Sequence, residues 1–205
     1  MNDQRRILSA LLLALLIIFV WSVIRPRDTF TWFLEVLPAI AGTAILAATF
    51  PRFRFTTLVY VLIAIHMIIL MIGGHYTYAE VPFFNWLRDA YGLARNHYDR
   101  VGHFAQGFVP AMIARELLIR RVRIARPGWL FTLVTAVCLA ISALYELFEW
   151  AVAAATGTAA DAFLGTQGDA WDTQKDMALC LAGAIVAQLL LNRWHDGQLA
   201  AKRES

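Results

Sequence analysis

Apolar runs of membrane-spanning length constrain this chain more than any other feature. They cover residues 7–24, 30–50, 55–73, 101–119, 129–155 and 176–191. Each is close to the roughly 20 residues a helix needs to cross a bilayer. Within lipid no water satisfies backbone N–H and C=O groups, so each run must bond within itself as a helix. The expected fold is an all-α polytopic bundle of about six transmembrane helices, with residues 1–205 as a single integral membrane domain. Hydrophobic residues make up 60% of the chain, against roughly 45–50% in soluble domains, so little mass is left outside the membrane.

The first run follows Arg5 and Arg6, as a secretory signal would. It is longer than a usual signal core and closes on Trp21-Ser22-Val23-Ile24-Arg25-Pro26-Arg27, with no small-residue cleavage site. It reads as a retained helix. The second run carries Glu35 and Pro38, and the fourth Arg115 and Glu116, which makes these two the least typical spans.

Positive charge sets the orientation. With the N-terminus in the cytoplasm, the inner segments hold Arg5, Arg6, Arg52, Arg54, Arg193, Lys202, Arg203 and the block Arg120, Arg121, Arg123 and Arg126. The outer segments hold Arg25, Arg27, Arg88, Arg95, Arg100 and Lys175. The excess favours both termini inside. A net charge of +3 is therefore a topology signal, and no nucleic-acid partner is implied. Of the outer segments, 75–100 and 156–175 are the sizeable ones. After Pro82 the first shows Phe83, Leu87, Tyr91, Ala94, Tyr98 and Val101 at three- or four-residue intervals, the period of an amphipathic helix. With Trp86 it is expected to lie along the lipid interface.

Ionisable groups interrupt this pattern in three places. Asn96, Asp99, His103 and Gln106 share one helical face at the start of the fourth span. Ser142, Glu146 and Glu149 do so near the end of the fifth. Asp169, Asp172, Asp176 and Cys180, extended by the small Gly183, do so at the start of the sixth. In the expected topology all three stripes lie at the same outer depth, where a charged residue at a helix centre costs about 2.5–3.5 kcal/mol to insert. Such groups cannot all stay ionised and unpaired, so protons or a cation must neutralise them; Arg100 and Lys175 are expected to point outward to water. Carboxylate-rich shells with one or two histidines suit divalent metals. The expected metal ligands are His103, Glu146, Glu149, Asp172 and Asp176. As a catalytic set, His103 would be the acid or base, Asp99 its orienting partner, and Glu146 a member of the carboxylate shell.

Each stripe also has a plain reading: helix-start carboxylates favoured by the helix dipole, solvated charges, or a network that ties helices together. His66 is expected to bond a neighbouring helix, His75 could reach the pocket, and His195 reads as a solvated residue of the cytoplasmic tail. Cys138 and Cys180 lie in separate apolar runs without zinc spacing and read as packed thiols. The basic block Arg120–Arg126 reads as a topology determinant in contact with anionic lipid.

The chain resembles the YjdF-like family of bacterial inner-membrane proteins over about residues 5–195. The resemblance rests on His75-Tyr76-Thr77-Tyr78, on His97-Tyr98-Asp99-Arg100-Val101-Gly102-His103-Phe104, on Tyr145-Glu146-Leu147-Phe148-Glu149-Trp150, and on Gly168-Asp169-Ala170-Trp171-Asp172-Thr173-Gln174-Lys175-Asp176. It implies a multi-pass protein of the inner membrane and brings no reaction with it. A more distant, architectural likeness is to VanZ-like membrane proteins. Asp99/His103, Glu146 and Asp172/Asp176 match that pattern in order, while Glu149 stands where a glutamine is usual and Asp169 replaces an arginine. Lipid-phosphatase motifs, a Gly-x-Ser-x-Gly elbow, a Walker A loop and a His-Glu-x-x-His helix do not occur. Three roles fit the stripes: an enzyme acting on a lipid or lipid-linked envelope substrate within the bilayer, a small proton-coupled carrier, and a structural membrane subunit.

Overall fold

A computed structural model describes residues 2–157 and 161–204, all helix and connecting turns. The elements are α1 (Asn2–Val23), α2 (Thr29–Thr49), α3 (Thr57–His75), α4 (Pro82–Tyr91), α5 (Tyr98–Leu117) running into a π-helical turn (Leu118–Val122), α6 (Pro127–Thr156), the short α7 (Asp161–Leu164) and α8 (Asp172–Glu204). Helix starts follow local chemistry. The Asp28 carboxylate accepts the Thr31 N–H at 2.7 Å ahead of α2, and Pro82 and Pro127 open α4 and α6, where a missing N–H costs nothing.

Five helices, α1, α2, α3, α6 and α8, are long and apolar enough to cross a membrane. The fourth predicted run is α5, long enough at 20 residues but interrupted by Asp99, Arg100, His103, Arg115 and Glu116. Its position explains how it tolerates them. It packs chiefly on α8 and also against α6 and α3, so its flanks meet protein rather than lipid, where intramembrane charge finds partners. α1 is the opposite case: it packs on α3 and turns Leu12, Leu13, Leu16 and Ile17 outward. The core between these helices is built from Val59, Ile63 and Met67 of α3, Val109 and Met112 of α5, Val134 and Cys138 of α6, and Cys180 and Ala184 of α8. Both cysteines are free and buried, as their setting predicts.

α5 and α8 touch backbone to backbone. A Cβ added at Gly107 would lie 1.8 Å from the Cys180 carbonyl oxygen, and one at Gly183 would lie 2.1 Å from that of Phe104. Small residues facing each other let membrane helices approach this closely, and the approach brings the polar stripes of α5 and α8 together.

Several boundaries differ from expectation. The amphipathic pattern after Pro82 breaks at Gly92, whose left-handed conformation (φ 63°) ends α4. Ala94 therefore lies in a turn, and Tyr98 and Val101 belong to α5. α4 leaves Phe83, Trp86 and Tyr91 exposed. α8 continues well beyond residue 191 as an unbroken helix. The expected outer segment 156–175 includes residues 158–160, which lie outside the described residues.

Candidate functional site

The site is organised by two arginines from the start of α5 and the turn before it. Arg95, 6% exposed, donates Nη2 to Asp99 Oδ2 and to the Gly165 carbonyl, both at 3.1 Å, and Nη1 to Asp172 and the Thr166 carbonyl. Arg100 donates Nη2 to Asp172 Oδ1 at 2.6 Å and to Asp169 Oδ2 at 3.1 Å, and Nη1 to Asp176. Lys175 also reaches Asp169 Oδ2, at 2.6 Å. The expectation that Arg100 points outward to water is corrected here. Four carboxylates crowded at the start of α8 and α5 draw its guanidinium inward, because an unpaired buried carboxylate costs far more than ordering one arginine. Lys175 stays half-exposed, and its ammonium, with the Trp171 N–H, holds the Asp169 carboxyl below its ordinary range.

His103 lies deeper, 7% exposed. Its Nε2 is 3.3 Å from Asp99 Oδ1 and 3.9 Å from Asp176 Oδ2. Its Nδ1 is 3.2 Å from Gln106 Oε1 and 3.7 Å from Glu146 Oε1. Asp99 and Asp176 thus divide their oxygens alike: one to an arginine, the other toward the same imidazole nitrogen. One donor atom from each of Asp99, His103 and Asp176 lies within 4.8 Å of the others. Ligands about 2.0–2.2 Å from a shared ion stand roughly 3–3.5 Å apart, so this cluster of three atoms is somewhat wider than ligand spacing. Glu146 stands at its edge, buried, with Oε1 lacking any hydrogen-bond partner among the described residues.

Beyond His103 opens a cavity of about 230 Å³. Asp99, His103, Gln106, Glu149, Tyr145, Tyr78, Glu35 and His66 supply its polar wall, and Pro38, Leu70, Pro110 and Ile141 its apolar one. Glu35, buried in α2, accepts the Tyr145 hydroxyl at 3.1 Å. Tyr78 sits at the mouth of the α3–α4 turn, its ring pressed against the bare backbone of Gly73 and Gly102. Burial there pushes its phenol well above the ordinary value.

Of the predicted site residues, Asp99, His103, Glu146 and Asp176 come together. Asp172 is adjacent but engaged by both arginines, and Glu149 faces the cavity instead of the three-residue cluster. Asn96 begins the α5 stripe in sequence, yet lies before the helix. Its side chain accepts the Tyr98 N–H and donates to the Val81 carbonyl and to Asn85. His75 does not reach the pocket: its ring packs on Trp21 at 4.3 Å, with Nδ1 3.1 Å from the Ser22 carbonyl. His66 lines the cavity. Sequence reasoning passed over Arg95, Glu35 and Tyr145. For Glu35 the signal was present, since an acid within a span is a functional candidate by default.

His195, expected to be a solvated tail residue, lies inside the bundle instead. It is fully buried, not solvated, because α8 continues as helix and carries it under the end of α5. Arg115 Nη1 donates to its Nδ1 at 2.8 Å, so Nε2 is the protonated nitrogen and faces Glu116 Oε2 at 3.1 Å. Glu116 also accepts the Thr56 N–H at 3.0 Å, the Thr56 hydroxyl at 2.8 Å and Arg120 at 2.6 Å. The charges that made the fourth run look doubtful are all satisfied in this knot.

A helical bundle with an ionisable cluster enclosed by its spans is a multi-pass membrane protein, and the comparisons agree. Residues 7–197 match the family described as "Predicted membrane protein (DUF2238)". The chain is 48% identical over 193 residues to "Inner membrane protein YjdF" of Escherichia coli (strain K12), covering 94% of this chain and 92% of that protein. No solved structure matches. The chain belongs to the DUF2238 family of inner-membrane proteins.

Proposed function

We propose that this protein is a membrane-embedded hydrolase or transferase acting on a lipid-linked substrate, through a divalent cation held by Asp99, His103 and Asp176. The observation that carries this reading is the shared orientation of Asp99 and Asp176, each anchored by an arginine and each offering its free oxygen to His103. A cation there would polarise a phosphoryl or carbonyl oxygen. Glu146, with one unbonded oxygen, is placed to take a proton, and Gln106 orients His103 from the other ring nitrogen. Asp172 acts through Arg95 and Arg100 as the anchor of α8. Glu149 and Glu35 face a substrate headgroup in the cavity, whose apolar wall suits a lipid tail. In this reading both termini are cytoplasmic and the cavity serves the outer leaflet; reporter fusions at Gly157 and Arg123 should read outside and inside respectively.

Elemental analysis of detergent-purified protein tests the cation. The wild type should carry stoichiometric metal and Asp176→Asn should not, with both folded; absence of metal from both, with melting unmoved by Mn or Zn, would overturn the site. Lipid extracts test the reaction. Cells lacking the protein and cells carrying His103→Ala should accumulate the same lipid-linked species, and unchanged extracts argue against an enzyme. A proton-coupled carrier is the second reading, favoured by Glu35, buried mid-helix and facing the same cavity as His66 and His103. Proton flux into liposomes that Glu35→Gln abolishes would select it.

A further inference from the structure

A second cavity, about 780 Å³, lies at the other end of α5, between the π-helical turn, the start of α6 and α8. Arg115, Arg120 and Arg123 line it beside Ile119, Ile124 and Leu130. Two of these guanidiniums are held by protein groups. Arg115 donates to His195 and, at 2.7 Å, to Asp196, the acid on the cavity wall. Arg120 donates to Glu116 and, at 2.7 Å, to the Arg54 carbonyl, and lies 4.1 Å over the Phe53 ring.

Arg123 differs. Its side chain makes no hydrogen bond or ion pair among the described residues, and its backbone sits in the left-handed region (φ 63°) immediately after the π-helical turn. A left-handed backbone is strained for a non-glycine residue, and π-helical turns are frequent at functional sites. Arg123 is solvent-exposed and, among the described residues, unpaired on the wall of a cavity whose other arginines are already held by protein groups. Pro127, the first residue of α6, lies on the same wall, and no side chain caps that helix. Its positive end adds to the field.

We infer that this cavity binds a phosphate group, supplied by an anionic phospholipid headgroup whose acyl chain follows the Ile119, Ile124 and Leu130 wall. Arg123 is the principal contact, because a guanidinium meets phosphate with paired N–H donors.

The test uses the full chain with two probes. In the first, purified protein is offered phosphatidylglycerol or phosphatidylcholine and retained lipid is measured by native mass spectrometry. The wild type should prefer phosphatidylglycerol, and Arg123→Gln should weaken that binding about tenfold, the worth of one charge-assisted hydrogen bond. Arg121→Gln is the control, since Arg121 reaches the Arg52 carbonyl outside the cavity; it should leave binding unchanged. In the second, inorganic phosphate is added to protein in phosphatidylcholine alone. A phosphate-dependent rise in melting temperature that Arg123→Gln removes assigns the site to free phosphate; a response to phosphatidylglycerol alone assigns it to the headgroup. No preference in either arm, or equal loss in Arg121→Gln and Arg123→Gln, overturns the proposal.

Discussion

Gly107→Ala tests the helix crossing on which the candidate site depends. Its Cβ would stand 1.8 Å from the Cys180 carbonyl oxygen and 2.6 Å from the carbonyl carbon. Carbon–oxygen contacts settle near about 3.3–3.6 Å, so α5 and α8 must part by roughly 1.5 Å. Both sides of the clash are helix backbone, and no rotamer change relieves it. The same movement carries the Arg100 Nη2–Asp172 Oδ1 contact, now 2.6 Å, beyond hydrogen-bond range and draws Asp176 away from His103. Alanine's advantage over glycine within a helix, about 0.5–1 kcal/mol, acts in the opposite direction. Overpacking costs about 1–3 kcal/mol and sits at the upper end where backbone is opposed, so a net loss near 2 kcal/mol is expected. Gly197→Ala is the matched control: it lies in α8 with open space at its Cβ position, and should melt at or above the wild type. Unfolding of the detergent-purified proteins, followed by tryptophan fluorescence, compares the three. If Gly107→Ala is as stable as Gly197→Ala, the close crossing is wrong, and so is the placement of Asp176 beside His103.

Glu116→Ala removes the acceptor shared by His195, Thr56 and Arg120. Breaking one partner of a buried charged network costs about 3–5 kcal/mol, so its melting temperature should fall further than for Asp89→Ala on exposed α4. His103→Ala and Glu146→Ala should destabilise together by less than the sum of the single changes, with a coupling of about 0.5–3 kcal/mol; additivity would separate the two helices' roles. Asp169 has its folded pKa depressed by Lys175 and the Trp171 N–H, so its contribution is full above the unfolded value of ~3.9 and is lost as pH falls through the folded one. Asp169→Asn should therefore melt below the wild type at neutral pH, and the two should converge at the acid end; a constant gap across the titration would contradict the pairing.

What the sequence determined by itself is local. Run length and composition specify helices, because a segment in lipid has no other partner for its backbone. The 3.6-residue period places Asp99 with His103, and Asp172 with Asp176, on single faces. Pro82 opens α4 by its own backbone geometry, whereas the period that runs on to Val101 does not show its end at Gly92. Which face meets which neighbour is not a periodic property, and it required the fold. Arg95 and Arg100 read as loop charges until the backbone contact of α5 and α8 brings three carboxylates, Asp169, Asp172 and Asp176, within reach of their long side chains. His195 reads as tail until α8, continuing past the apolar run, seats it between Arg115 and Glu116. Glu35 looks like a flaw in a span until Tyr145, 110 positions away, closes on it across the bundle. In each case a charge in lipid is tolerated only where another helix answers it, and that answer comes from residues distant in the chain.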